Sequence, residues 1–184
     1  MGLSFILFII GAVLGSLCDG LHTHSETLVY ANPWLLKMAW WTPLLFGGAV
    51  VAIGLAPFKT RQWFRNNSGI LSWKKMMILI LFFVTIYVAS GFLPANNFQK
   101  LILLGIASGS LWFFYERTLE GIVRGMMVAI IGCSIEIILI TQGAFHYNHP
   151  DILGIPVWLP CLYFCSSIVI GHLGIRLNLM KLSK

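Results

Sequence analysis

Residues 125–142 read GMMVAIIGCSIEIILITQ, a run in which Glu136 is the only charged side chain. A stretch this long and apolar is typical of a helix that crosses a membrane. A carboxylate inside such a span is costly in hydrocarbon, so we expect it to face the interior of a helical bundle and to have a partner there. The stretch therefore predicts a membrane fold and identifies one candidate functional residue.

The rest of the chain has the same character. Hydrophobic residues make up 58% of the 184 positions and charged residues only 10%, and the mean hydropathy is +0.87. These values lie outside the range of soluble globular proteins. The connections between the apolar runs are short, so we predict an all-α membrane protein with one six-helix transmembrane domain over residues 1–184. The predicted spans are 3–18, 38–58, 76–93, 101–115, 125–142 and 157–173.

The net charge of +6 could suggest nucleic acid, but the positions of the charges indicate membrane topology instead. If the amino terminus lies inside, only Lys37 and Lys100 fall on the outer side, and the other ten basic residues are cytoplasmic. Both termini are therefore predicted to be cytoplasmic, and no nucleic-acid partner is expected. Trp158 is predicted to anchor the sixth helix at the outer interface. The ten basic residues predicted to be cytoplasmic are Lys59, Arg61, Arg65, Lys74, Lys75, Arg117, Arg124, Arg176, Lys181 and Lys184.

Two predicted outer loops carry most of the remaining titratable side chains. One follows the first span and contains Asp19, and the other connects the fifth and sixth spans. Neutral imidazoles and carboxylates suit zinc or iron, so a membrane-embedded metal-dependent lipid hydrolase or hydratase is an alternative function. However, the histidines lie in short loops and no H-E-x-x-H spacing, P-loop or nucleophile elbow is present, so we predict no metal site or cofactor. The residues that a metal-dependent hydrolase or hydratase would use are His22, His24, His146, His149 and Asp151.

Small residues four positions apart predict close contacts between helices. Such pairs occur at Gly11 and Gly15 and again at Gly105 and Gly109. A third pair, Gly121 with Gly125, opens the fifth span. The spacing favours packing of helices and does not fix an oligomer number.

Three blocks of sequence resemble the Insig (insulin-induced gene) family of membrane proteins. The first begins WWTP at Trp40, and the second is LWFFYERTLEG at 111–121. The third combines GAFHYNHPD at 143–151 with VWLPCLYF at 157–164 and GHLGIRL at 171–177. The blocks occur in the family's order, and the resemblance implies a six-helix fold with both ends cytoplasmic and no catalytic activity.

The resemblance also implies a ligand and an assembly. Animal Insigs bind oxysterol and hold Scap and the reductase of sterol synthesis in the endoplasmic reticulum. Bacterial relatives are similar to diacylglycerol-type lipid binders that form trimers. Since few residues flank the outermost spans here, we expect a bacterial cytoplasmic membrane, or the endoplasmic reticulum if the source is eukaryotic.

We therefore expect a non-enzymatic protein that binds a diacylglycerol- or sterol-like lipid in a cavity within the bundle and regulates a membrane partner. Glu136, Gln142, Tyr147 and Trp112 are the predicted lipid-binding residues. Asp151, which matches the acid after proline in the family's loop, is the predicted partner-binding residue. A small transporter is a further alternative, and it would require water to reach Glu136.

Overall fold

Six long helices form the computed structural model, which describes residues 2–65 and 69–182, with side chains as far as residue 180. Each helix is long and apolar enough to cross a membrane, which confirms the predicted number of spans. An even number of spans places both ends on one side. Lys184, one of the predicted cytoplasmic charges, lies outside the described residues. The helices are α1 (Leu3–His24), α2 (Thr42–Trp63), α3 (Trp73–Phe92), α4 (Asn97–Glu116), α5 (Leu119–Thr141) and α6 (Leu159–Leu182).

Helix α1 is longer than the predicted span, which ended at Cys18. The hydropathy falls at Asp19, but the helix continues to His24 because no proline interrupts it and the side chains of Asp19, His22 and Thr23 face the protein. Asp19 and His22 were predicted to lie in an outer loop, but they belong to this helix and are buried. A π-helical turn at Gly11–Gly15 lies within this helix, and a second one at Trp112–Glu116 ends α4.

A two-stranded antiparallel sheet, which the sequence did not predict, joins the two outer loops. Strand β1 (Leu28–Tyr30) pairs with β2 (Phe145–Tyr147), with Val29 opposite His146. Successive side chains of a strand point to opposite faces. As a result Leu28, Tyr30, Phe145 and Tyr147 are buried, and Val29 and His146 are exposed.

Helix α6 lies at the centre of the bundle and contacts all five other helices. It packs tightly against α2, where a Cβ added at Gly174 would collide with the carbonyl oxygen of Gly54. The predicted contact surface at Gly11 and Gly15 packs against α2. In contrast, Gly105 and its partner Gly109 face open space in the described part of the chain.

Trp158 is not the interfacial anchor that was predicted. It is 1% exposed, its Nε1 donates a hydrogen bond to Asn97 Oδ1 at 3.0 Å, and its ring packs edge-on against His22 and Tyr147. The side chain is buried because the strand pair and the turn between α3 and α4 cover this end of α6. Trp34 and Trp40, by contrast, are largely exposed, as an interfacial belt requires.

Candidate functional site

A half-buried carboxylate held by two tyrosines lies in the outer half of the bundle. Tyr147 Oη donates a hydrogen bond to Glu136 Oε2 at 2.6 Å, and Tyr163 Oη donates one to Oε1 at 2.5 Å. Tyr147 belongs to β2, Glu136 to α5 and Tyr163 to α6, so the sheet and the packing of α5 against α6 bring the three residues together. We call it the Glu136 centre. Glu136 is half-buried, whereas the neighbouring α5 residues Ile135 and Ile138 are exposed on the lipid-facing surface.

The tyrosine of β2 keeps its proton over the ordinary pH range. Burial, with a smaller contribution from the Glu136 charge, raises the pKa of Tyr147 well above its usual value. A protonated phenol can donate to a carboxylate, whereas a phenolate would repel it. Tyr147 therefore acts as a donor in the Glu136 centre.

A second carboxylate–tyrosine pair lies close by. Tyr30 Oη donates to Asp19 Oδ2 at 2.9 Å, and both side chains are buried. Burial first, then the charge of Asp19 and finally that of Glu136, raise the pKa of Tyr30 far above its usual value. The Phe145 ring links the two pairs, because its centroid lies 5.3 Å from that of Tyr30 and 6.0 Å from that of Tyr147.

The four predicted lipid-binding residues do not form one group. Glu136 and Tyr147 are in contact, but Gln142 is exposed at the carboxyl end of α5. Trp112 lies at the opposite end of the bundle, in the π-helical turn of α4, and its Nε1 donates to Thr118 O at 2.9 Å. Tyr163, the second partner of Glu136, was not predicted because contacts between helices distant in sequence leave no periodic signal.

Asp151 fixes the outer loop between β2 and α6. Its Oδ2 accepts hydrogen bonds from Asn97 Nδ2 at 2.7 Å and from the backbone N–H of Val157 at 2.9 Å. The same Asn97 amide donates to His149 O at 2.7 Å. Asp151 is exposed, and among residues 2–65 and 69–182 its Oδ1 accepts no hydrogen bond, which leaves an acceptor at the outer face.

The histidines of the hydrolase alternative are dispersed. His22 is buried, with its Nε2 2.8 Å from Ser90 Oγ and its ring stacked on Tyr87. His146 and His149, by contrast, are exposed in the other outer segment. Within the described residues, no three His, Cys, Asp or Glu side chains are grouped closely enough to hold a metal ion.

A buried ion-pair network at the inner end was not predicted. Arg124 Nε lies 2.8 Å from Glu120 Oε1, and its Nη2 lies 3.1 Å from Glu116 Oε2. The guanidinium also donates to Ser167 O at 2.5 Å, and His172 Nε2 lies 2.9 Å from Glu116 Oε2. We call these five residues the Arg124 network. The i,i+4 spacing of Glu120 and Arg124 could have indicated the first pair.

Comparison with known sequences gives consistent matches over nearly the whole chain. The model of the Insulin-induced protein (INSIG) family matches residues 3–178. The Insulin-induced gene 1 protein of Danio rerio is 30% identical over 184 residues, which cover 97% of this chain and 73% of that protein. The Insulin-induced gene 2 protein of Xenopus laevis is 30% identical over 182 residues, covering 96% and 84% respectively.

Solved structures give the same fold. A mycobacterial Insig homologue from Mycobacterium vanbaalenii superimposes with a TM-score of 0.79 at 24% identity, covering 94% of this chain and 92% of that one. A crystal structure of a cross-linked trimer of that homologue superimposes with a TM-score of 0.81 at the same identity and coverage.

Proposed function

The chain belongs to the insulin-induced protein (INSIG) family, and from that premise we propose that it is a non-enzymatic, multi-pass membrane protein that binds a hydroxyl-bearing lipid. The lipid is of the diacylglycerol or sterol class, and the Glu136 centre is its polar contact. The observation that carries this proposal is a half-buried carboxylate inside a membrane helix with only part of its acceptor capacity used.

The hydrogen-bonding capacity of Glu136 supports this assignment. An ionised carboxylate has about four acceptor sites. Tyr147 and Tyr163 occupy one site on each oxygen. The remaining sites suit a donor that enters from the bilayer, and hydrogen bonds to a charged acceptor are stronger than neutral ones.

The chemistry of the surroundings selects the lipid class. Diacylglycerols and sterols each present a single uncharged hydroxyl donor on a large apolar body. The apolar surface of α5 next to Glu136, formed by residues such as Ile131, Ile135 and Ile138, suits such a body. Binding sites of this kind are mainly apolar, with few polar groups that fix orientation.

Mass spectrometry of lipid that co-purifies in a mild detergent tests the proposal. In Glu136→Gln the charged acceptor is lost with little change in volume, and we expect about tenfold less neutral lipid per protein. Ser134→Ala is the matched control on the same helix, because Ser134 is exposed and its hydroxyl donates to Ile130 O of its own helix at 2.8 Å. Equal amounts of lipid with wild type and Glu136→Gln would show that Glu136 is not the polar contact.

We further propose that Asp151 engages a membrane protein partner at the outer face through Oδ1. Asp151→Asn keeps an oxygen for Asn97 and Val157 but replaces the second acceptor with a donor. We expect cross-linking in native membranes to recover a partner with the wild type and with the control Glu26→Gln, but not with Asp151→Asn. Recovery of the same partner with all three proteins would refute this role.

The third element of the proposal is a trimer, as in the cross-linked crystal structure of the mycobacterial homologue. Native mass spectrometry of the detergent-purified chain tests it directly. A mass of three 20.6-kDa chains is expected, and a monomer at all detergent concentrations would refute it.

A further inference from the structure

A pocket of about 580 Å³ lies at the outer end of the bundle, between the turn that joins α3 to α4 and the loops around the sheet. Its lining is mainly polar and includes Lys100, Gln99 and Asn148, with Tyr147 and Trp158 on the apolar side. The volume is in the range of small-molecule sites. No residue of this pocket except Tyr147 belongs to the Glu136 centre.

Lys100 is a buried cation without an anionic partner in the described residues. It is 9% exposed, and its Nζ donates one hydrogen bond, to Ser90 O at 2.8 Å. None of the ion pairs among residues 2–65 and 69–182 includes it. An ammonium group has three donors, so two remain. Glu26 also lines the pocket, but it is exposed and is not paired with Lys100.

The position of Lys100 in its helix adds to the positive potential. It lies in the first turn of α4, where the helix dipole is also positive. A cation at this end of a helix is unfavourable, whereas an anion is stabilised there. Lys100 and the helix therefore favour the same kind of ligand.

Two side-chain amides complete the donor set. Asn96 Oδ1 accepts from Gln99 N at 2.9 Å, and Gln99 Oε1 accepts from Asn96 N at 3.1 Å, which is a reciprocal capping box. Because both amide oxygens bond to the backbone, the NH₂ groups of Asn96 and Gln99 remain as donors at the pocket. An oxyanion can accept hydrogen bonds from an ammonium group and from side-chain amides that line one pocket.

We propose that this pocket binds a phosphate-class anion through Lys100, with Asn96 and Gln99 as additional donors. The anion is either the headgroup of a phospholipid or a free phosphate. Tyr147 adjoins both this pocket and the Glu136 centre, but the proposed anion donors are different residues from those at the neutral-lipid site. Lysine binds phosphate as a point charge, which is consistent with a single ammonium group at the pocket.

The test uses purified protein in dodecyl maltoside, which contains no phosphate. Inorganic phosphate is titrated against chloride at constant ionic strength by calorimetry, and phosphatidylglycerol bound in mixed micelles is counted by native mass spectrometry. We expect Lys100→Met to bind the anion about 10- to 100-fold more weakly than wild type. Lys37→Met is the matched control, because Lys37 is the other outer lysine and is exposed.

Two further variants separate binding from folding. Lys100→Gln keeps a donor for Ser90 O while removing the charge, and it should lose binding as Lys100→Met does. Asn96→Ser keeps a helix-capping oxygen but removes the NH₂ group, and a decrease of about two- to fivefold is expected. Binding of phosphate by the wild type identifies a soluble ligand, and binding of phosphatidylglycerol alone identifies a lipid headgroup. The proposal is overturned if the wild type binds neither, or if Lys100→Met and Lys100→Gln bind as well as Lys37→Met.

Discussion

Replacement of Arg124 by methionine should lower the free energy of unfolding by about 3–5 kcal/mol, the usual cost of removing one partner from a buried ion pair. Arg124 is 2% exposed, and its guanidinium lies within ion-pair distance of both Glu116 and Glu120. Its loss removes the guanidinium from both carboxylates, although the His172 imidazole still lies 2.9 Å from Glu116 Oε2, and it also removes the donor to Ser167 O. Methionine retains much of the apolar volume, so the change measures charge and hydrogen bonding more than packing.

The measurement is reversible unfolding of the purified protein in mixed micelles of dodecyl maltoside and sodium dodecyl sulfate, followed by circular dichroism. Arg117→Met is the matched control, since Arg117 is exposed and its guanidinium lies 4.4 Å from the centroid of the Phe113 ring. An exposed cation–π contact is worth about 0.5–1 kcal/mol, so the control should lose no more than that.

A combined variant distinguishes lost charge pairing from lost shape. Arg124→Met with Glu116→Gln and Glu120→Gln has no uncompensated carboxylate, and we expect it to recover at least half of the loss caused by Arg124→Met alone. A loss below about 1 kcal/mol for Arg124→Met would refute the assignment of the network as a buried ion pair.

Three other outcomes follow from the structure. Tyr163→Phe removes one donor to the α5 carboxylate and should lower the free energy of unfolding by about 1.5–3 kcal/mol in the same assay; no change would show that this bond contributes nothing. Gly174→Ala places a Cβ against the carbonyl of Gly54 and should cost about 1–3 kcal/mol, whereas Gly109→Ala, which faces open space, should be neutral or stabilising. Because the pKa of Tyr147 is raised on folding, its contribution to stability is complete below about pH 10 and is lost as the pH rises above that value. Ultraviolet titration should show fewer tyrosinates in the folded than in the denatured protein at pH 11, and Tyr147→Phe should reduce that difference.

Hydropathy predicted the six helices because each is apolar along its span, whether that surface is mostly exposed, as in α1 to α5, or mostly buried, as in α6. It failed at the helix ends, where polar residues continue the helix and face the protein. Asp19 is the clearest case, since its carboxylate is satisfied by Tyr30 from the following strand. Trp158 was predicted to lie at the interface but is buried. The prediction failed because composition does not indicate which elements cover a side chain.

The candidate site was predictable only in part. Glu136 was identifiable because an isolated carboxylate in an apolar run is conspicuous, and Tyr147 entered through the resemblance to the family. Tyr163 was not predicted, because its contact with Glu136 depends on how α6 packs against α5. Arg124 was counted as a cytoplasmic charge, although its guanidinium lies within the bundle and is paired there.

The central position of α6 has a consequence for biogenesis. Chains are synthesised from the amino terminus, so α6, which contacts the other five helices, leaves the ribosome after them. Until it arrives, Arg124 lacks Ser167, Glu116 lacks His172, and Glu136 lacks Tyr163. The first five helices must therefore lie in the membrane for a time without these partners of their polar groups and without the helix that fills the centre of the bundle. A chain truncated before residue 159 should in consequence be a substrate for membrane quality control rather than a stable smaller protein.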